Sequence, residues 1–536
     1  MAASQPFGFV CQGGLNTNTN ELAALATAGV ATELVNFEVD SDSGYRRVNG
    51  YTPFGTTRPN GDNRILGLCS YAGGLIAAVV DNGTQTDYFF TMNGTAWAKI
   101  NKDGQSETTY SKASWDALAE ETRAGTAQPE FTFMNVGQYG EIIITDGNNL
   151  PFIFKITGTG GVTDLSYHGH TFQVNSSGAP QAATFHETRY VAAIDNVVYT
   201  SGVLLPSTFT GSGVSVQVSE PVVALRSFRD DVIIFCKNSI HKLSNINNAD
   251  ALVVKPITEN VGCIAQHSVQ EIGGDLVFLS PDGIRTVAGT ARIGDVELGA
   301  ISRPIQPLFS QLARTINNYI VTSTVIRNKN QYRIFYAGQG EDITTSKGII
   351  GTLTKNGFEW SETEGIQAHA IVSNLDLSNV EVYFHGDKNG YVYSHDIGPS
   401  FYKDGAAFNI NSKYVTPFYD FGDVGSRKTL HYVKISVTPE STVAPTLSIK
   451  YDYNSVESPQ PPAYQLTTIP LPSLFGTASF GSGVGAGAFG GIGDPMVRQP
   501  VQGSGHTANF TISNNDQAGS YRINGFFIDY VPAGRR

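Results

Sequence analysis

The chain has 536 residues, with 35 Lys and Arg against 47 Asp and Glu, a formal charge of −12, and only 15% charged residues. With 40% hydrophobic and 11% aromatic residues it is too apolar for a disordered chain and long enough to bury a large core. The acidic balance excludes a basic groove for duplex nucleic acid, and composition and period exclude collagen and coiled coil.

The first residues, Met1 to Pro6, lack the basic stretch and long apolar run of a secretory signal. The Asp40-Ser41-Asp42-Ser43-Gly44 segment has the alternating oxygens of half a calcium loop. It lacks the third acid and the terminal Glu, so a hairpin turn with Gly44 at positive φ is expected. The longest apolar run, Leu75 to Val80, is far short of the ~20 residues that span a bilayer, and no membrane segment is expected. Cys11, Cys69, Cys236 and Cys263 lie far apart without a C-x-x-C, and read as buried thiols.

From about residue 60 the chain reads as short strands. Ile142-Ile143-Ile144-Thr145, Val232-Ile233-Ile234-Phe235 and Leu276-Val277-Phe278-Leu279 are unbroken apolar runs, suited to strands covered on both faces. Tight-turn pairs recur at Asn93-Gly94, Asp146-Gly147, Asp195-Asn196, Lys237-Asn238, Asp282-Gly283, Asn356-Gly357 and Asn389-Gly390. Several of their intervals fall at the roughly 40–50 residues of a propeller blade. One hairpin per blade predicts an all-β fold with a propeller of six to eight blades over residues 55–410. A helix is predicted from Ser114 to Ala124, stopped by Gly125, with Trp115 and Leu118 inward. A second has Ser302 as its cap, Pro304 and Pro307 in its first turn, and Ile305, Leu308, Phe309, Leu312 and Ile316 on one face.

After residue 410 the texture becomes alternating, with Tyr432, Lys434 and Ser436 set against Val433, Ile435 and Val437. Leu447 to Tyr451, Phe510 to Ile512 and Phe526 to Tyr530 continue it. A C-terminal β-sandwich over 411–536 is expected. It carries a Gly-rich loop, 473–495, with Phe475, Phe480 and Phe489 as a candidate assembly contact.

Motifs for chemistry are absent. No G-x-S-x-G elbow, phosphate-binding G-x-x-x-x-G-K-[ST] or H-E-x-x-H occurs. Tyr167-His168-Gly169-His170 has no Cys or acid at ligand spacing and reads as a loop pair. The expectation is therefore no catalytic, cofactor-binding or metal-binding residues. The alternative is a propeller that binds or cleaves glycans, since Asn93-Gly94-Thr95-Ala96-Trp97 distantly resembles the D-x-G-x-x-W turn of sialidases.

Three patches carry a more specific likeness. The first is Gly13-Gly14-Leu15-Asn16-Thr17, then Glu33 to Val39, then Gly44-Tyr45-Arg46-Arg47-Val48-Asn49-Gly50-Tyr51. The second is Glu259 to Cys263 with Phe278 to Arg285 and Ile301 to Ile305, and the third is Asp420 to Asp423 with Arg427-Lys428. In this order they resemble the tail nozzle proteins of short-tailed bacteriophages, also called tail tubular protein B or packaged-DNA stabilisation proteins. The chain departs from the family by carrying Glu21 to Gly29 where a proline-rich spacer is usual. The resemblance makes Gly14, Leu15, Asn16, Arg46, Arg47, Gly50 and Tyr51 structural signature residues. Independently of it, residues 1–54 are expected to pair into the sheet system through the strand around Leu34 to Val39. The resemblance also implies a hexameric ring in the virion tail, assembled in the host cytoplasm, that continues the portal and adaptor channel. Its partners would be the tail adaptor, tail fibre or spike, and needle or distal tail proteins. Double-stranded DNA would be retained and then passed without sequence recognition. An acidic conduit suits that role, and Asp146, Asp195 and Asp282 in the blade hairpins are candidate channel acids.

Overall fold

The computed structural model describes residues 4–18, 29–40, 43–71, 73–81, 85–99, 128–134, 141–148, 151–156, 165–169, 179–204, 209, 213–248, 251–288, 300–338, 340–375, 380–467, 469 and 496–533. They are mostly strands, and one α-helix, Gln306–Arg314, is described in full. Five sheets are four-stranded and antiparallel in a propeller-like arrangement. The first blade comprises Ile65–Tyr71, Gly74–Asp81, Gln85–Thr91 and Ala98–Lys99, and the second Glu130–Met134, Glu141–Thr145, Phe152–Ile156 and Leu165–Gly169. The third is Ala182–His186, Arg189–Ile194, Val197–Thr200 and Ser215–Gln217, and the fourth Val222–Phe228, Asp231–Cys236, Ile240–Ser244 and Val253–Thr258. The fifth joins Ala370–Leu375, Glu381–Gly386 and Val392–His395 to Tyr51–Pro53 from the other end of the chain.

Face-to-face packing explains the unbroken apolar runs. Ile142 and Ile144 of the second blade pack with Leu66, Ile76 and Phe90 of the first, while Ile143 packs with Ala183 and Tyr190 of the third. Successive side chains on a strand point to opposite faces, so a strand between two sheets must be apolar at every position. Likewise Val232 and Ile234 face the third blade, and Ile233 and Phe235 face Leu276 and Phe278 beyond the fourth.

Two further sheets complete the circuit. A three-stranded one (Gln270–Ile272, Asp275–Ser280, Gly283–Thr286) follows the fourth blade. Tyr319–Ile326, first strand of a nine-stranded sheet, touches Gln270–Ile272 on one side and Ala370–Leu375 on the other. Ala370–Leu375 in turn lies against Ile65–Tyr71. The expectation of six to eight blades is thus corrected to five. The Asp282-Gly283 hairpin belongs to the three-stranded sheet and the Asn356-Gly357 hairpin to the nine-stranded one, so counting hairpins overcounts four-stranded blades.

The N-terminal segment is woven through the molecule. Glu33–Val35 pairs in parallel with Gly357–Glu364 and antiparallel with Ile410–Val415, so it bridges the Tyr319-to-Glu364 hairpins and the C-terminal strands within the nine-stranded sheet. Phe37–Val39, Tyr45–Arg47 and Gln5–Val10 join a seven-stranded sheet built on Arg427–Pro439 and Tyr521–Ala533. Tyr51–Pro53, which lies before residue 55, supplies the outer strand of the fifth blade. In Arg427–Pro439, Leu430, Val433, Ile435 and Val437 are buried, and Tyr432, Lys434 and Ser436 lie on the half-exposed face. The first set shares one core with Leu447, Ile449, Phe510 and Ile512 of the nine-stranded sheet.

The helix presents Phe309 and Leu312 to that core. Ser302 does not cap it. A short 3-10 turn, Arg303–Ile305, intervenes, and the Ser302 hydroxyl accepts from the Ile284 N–H at 2.9 Å. The helix predicted at Ser114 to Ala124 and the Gly-rich loop with Phe475, Phe480 and Phe489 lie outside the described residues.

Candidate functional site

The signature residues sit where the chain closes on itself. Gly14 has φ +65°, and a Cβ there would stand 2.7 Å from the Trp360 nitrogen, so only glycine fits beside that strand. Leu15 donates its N–H to the Trp360 carbonyl at 2.7 Å, and the Asn16 N–H bonds the Ala31 carbonyl at 2.9 Å. Trp360 in turn donates its indole N–H to Ile301, and the Thr17 and Asn18 N–H groups both reach the Pro304 carbonyl. The first and second sequence patches therefore touch directly. Tyr51 is buried, its single hydroxyl proton lies within reach of the Gly365 and Tyr402 carbonyls, at 2.8 and 2.9 Å, and its ring stacks on Phe401. A Cβ on Gly50 would lie 1.9 Å from the Ser400 carbonyl oxygen.

The two arginines divide the work. Arg47 is fully buried and donates to the backbone carbonyls of Ile410, Asp516 and Ala518 and to the Asp516 carboxylate, at 2.7–2.9 Å. Arg46 forks onto Glu440 and also reaches Glu38 at 2.8 Å. Glu38 is buried and binds Lys329 and Arg333 as well, and both cations bind Asp396. Burial alone would push Glu38 and Asp396 up, but Lys329 and Arg333 hold both below the ordinary carboxylate range. Arg333 can only donate, so its contact with His395 at 3.2 Å makes that Nε2 an acceptor and puts the His395 proton on Nδ1. The Nδ1 of His385, 3.2 Å away, then accepts it. Burial lowers the His385 pKa to about 3 and holds His395 well below its usual range.

A second polar cluster occupies the centre of the circuit of sheets. Arg226 of the fourth blade pairs with Glu130 of the second at 2.5 Å, across the third. Side chains from sheets that are not neighbours meet only at the middle of a closed ring. Gln266 donates to Glu130 at 3.1 Å and to the Gln181 carbonyl at 3.2 Å, and the Ser323 hydroxyl donates to the His267 carbonyl at 2.6 Å. Gln128 donates to the His369 carbonyl at 2.7 Å, joining the segments that lead into the second and fifth blades. These single residues are scattered through the sequence with no spacing to mark them.

The candidate channel acids do not form one site. All three occupy the turn between the second and third strands of their sheets. Asp146 is buried and accepts the Asn148 N–H at 2.9 Å. Asp195 is exposed, with φ +52°, and Asp282 is exposed and paired with Arg285. Gly44 has φ +94°, as expected of a turn. His168 lies in the strand Leu165–Gly169, not in a loop, and His170 is outside the described residues. The four thiols are free, and burial pushes them up to about 12 for Cys11 and Cys69 and about 11 for Cys236 and Cys263. They are protonated at neutral pH, and Cys69 is only partly buried by surface exposure. Among the described residues no His, Cys, Asp and Glu group is arranged to hold a metal ion, and no helix is long and apolar enough to cross a membrane.

No family model and no curated protein matches the chain. Among solved structures it is similar to the computationally designed Ika8 protein, at 10% identity over 65% of this chain and 100% of that one, with TM-score 0.33. It is also similar to the WD40 β-propeller domain of Doa1, at 10% identity over 64% of this chain and 96% of that one, with TM-score 0.34.

Proposed function

We propose that the protein is a structural component of a bacteriophage virion, the tail nozzle. Copies of it form a ring that extends the portal and adaptor channel, retains the packaged genome and conducts it at ejection. In this reading it is not an enzyme, its strands after residue 410 form a β-sandwich platform, and its partners are the adaptor, fibre or spike, and distal tail proteins. The observation that supports it most is where the three signature patches meet. Leu15, Leu279, Ile284, Ile305 and Phe421 share one core, and Thr17 and Asn18 bond directly to Pro304. The residues that carry the resemblance are thus those that fasten the two ends of the chain to its middle, as a part loaded by pressurised DNA requires.

The charge supports the same reading. A chain of −12 repels phosphate, and a conduit must not trap it. Sedimentation velocity on the purified protein, with and without duplex DNA at physiological salt, tests this. The expected result is a closed oligomer, six copies on the family's pattern, that does not co-sediment with DNA. A monomer at all concentrations, or tight DNA binding, overturns it.

A further inference from the structure

A cavity of about 180 Å³ opens beside the central cluster, lined by Arg64, Ile65, Leu66, Gln128, Tyr319, Ile320 and His369. Ile65 and Leu66 come from the first blade and Tyr319 and Ile320 from the nine-stranded sheet, while Gln128 and His369 lie just before the first strands of the second and fifth blades. His369 is 1% exposed, and neither of its ring nitrogens has a hydrogen-bond partner in the protein. A buried imidazole left in that state is uncommon, because its N–H has lost water and gained nothing. The backbone around it is fixed: the His369 N–H bonds Gly386, and its carbonyl accepts from Gln128. His369 thus lines the cavity with its backbone anchored and its ring nitrogens unsatisfied by the protein.

The charges acting on His369 are those of Arg64 and Lys388, both positive. Burial, reinforced by these two cations, holds the His369 pKa down to about 3, so the imidazole is neutral and keeps one N–H to donate. A positive field and a neutral ring disfavour a metal cation. They favour a group with oxygen acceptors and negative charge. Ile65, Leu66 and Ile320 close the remaining wall and limit the occupant to a small one.

We propose that this cavity binds a small oxyanion, a phosphate or a carboxylate group, with Arg64 supplying the charge and His369 a directed N–H. The site is independent of the nozzle reading. Equilibrium dialysis of the full chain against radiolabelled inorganic phosphate, and separately against labelled acetate, in chloride buffer at neutral pH tests it. The expected result is saturable uptake of one anion per chain for at least one of the two, and the tighter one identifies the source. His369→Phe and Arg64→Met should each weaken it about tenfold or more, a loss of about 1.4 kcal/mol. His369→Gln, which keeps an N–H donor, should restore most of it, and Lys403→Gln, on the surface beside Asp342, should leave it unchanged. Circular dichroism confirms that each variant is folded, and Arg64→Met carries the test if His369→Phe is not. No saturable uptake of either anion, or uptake that survives the folded variants unchanged, overturns the proposal.

Discussion

Arg47 satisfies three backbone carbonyls that no other side chain reaches in the hydrogen bonds described, and it does so with no exposure to water. Removing the guanidinium leaves those carbonyls without their side-chain donor and takes the cation from the Asp516 carboxylate, which keeps the Ala518 N–H. Arg47→Met is expected to cost about 3 kcal/mol, since each orphaned buried group costs about 1–3 kcal/mol. A fall in the urea midpoint of unfolding reads it, and an unchanged midpoint contradicts it. The buried histidines set the pH dependence. His369, His385 and His395 have folded pKa values below the ordinary 6.5, burial being the main cause. Below pH 6.5 the unfolded chain takes up protons that the folded chain refuses, so their contribution is present above pH 6.5 and lost as pH falls towards 3. Asp387, which burial raises to about 6, acts the other way: its handicap exists above pH 6 and fades towards its ordinary 3.8. His241 and His267 are depressed by burial too, and Glu362 is raised like Asp387; five histidines outweigh two carboxylates, so acidification from pH 6.5 to 5 should destabilise the protein, by up to about 1.4 kcal/mol per pH unit for each histidine. Urea midpoints across this range should fall, and His385→Phe should flatten the slope by one proton. A midpoint that rises on acidification would contradict the assignment.

At the scale of elements, local signals were legible and distant pairings were not. The triple isoleucine run announced a strand covered on both faces, and Leu430 to Val437 announced one half-exposed, because side-chain alternation is a local property. The tight turns were legible for the same reason. The number of strands beyond each turn is not legible, which is why the turn spacing predicts six to eight blades where the fold has five. Nothing near Tyr51–Pro53 reveals that its partner is Val392–His395. The central residues Glu130, Arg226, Gln266 and His369 were invisible, because only ring closure brings them together. Gly50 tests the closing strand. Gly50→Ala would push a methyl into the Ser400 carbonyl, 1.9 Å away. It is expected to lower the thermal midpoint and to loosen the fifth blade first, read by faster amide exchange across Val392–His395. Unchanged exchange there would show that Tyr51–Pro53 does not hold the blade.

For the whole molecule, the N-terminal segment makes the propeller-like and C-terminal parts interdependent. Glu33–Val35 lies between strands from both, and Gln5–Val10 and Tyr45–Arg47 both pair with Tyr521–Ala533. A fragment of residues 411–536 alone is therefore expected to be soluble only poorly and to lack cooperative unfolding, while adding residues 1–54 in trans should restore it in part. Cooperative unfolding of the fragment by itself would contradict this. The nozzle reading asks more of the molecule: that such interlocked chains close into a ring. Electron microscopy of the purified protein alone tests that claim most directly. The account predicts closed rings with a central opening wide enough for a DNA duplex and a negatively charged inner wall. A field of compact single copies, or rings whose opening is too narrow for a duplex, would contradict it.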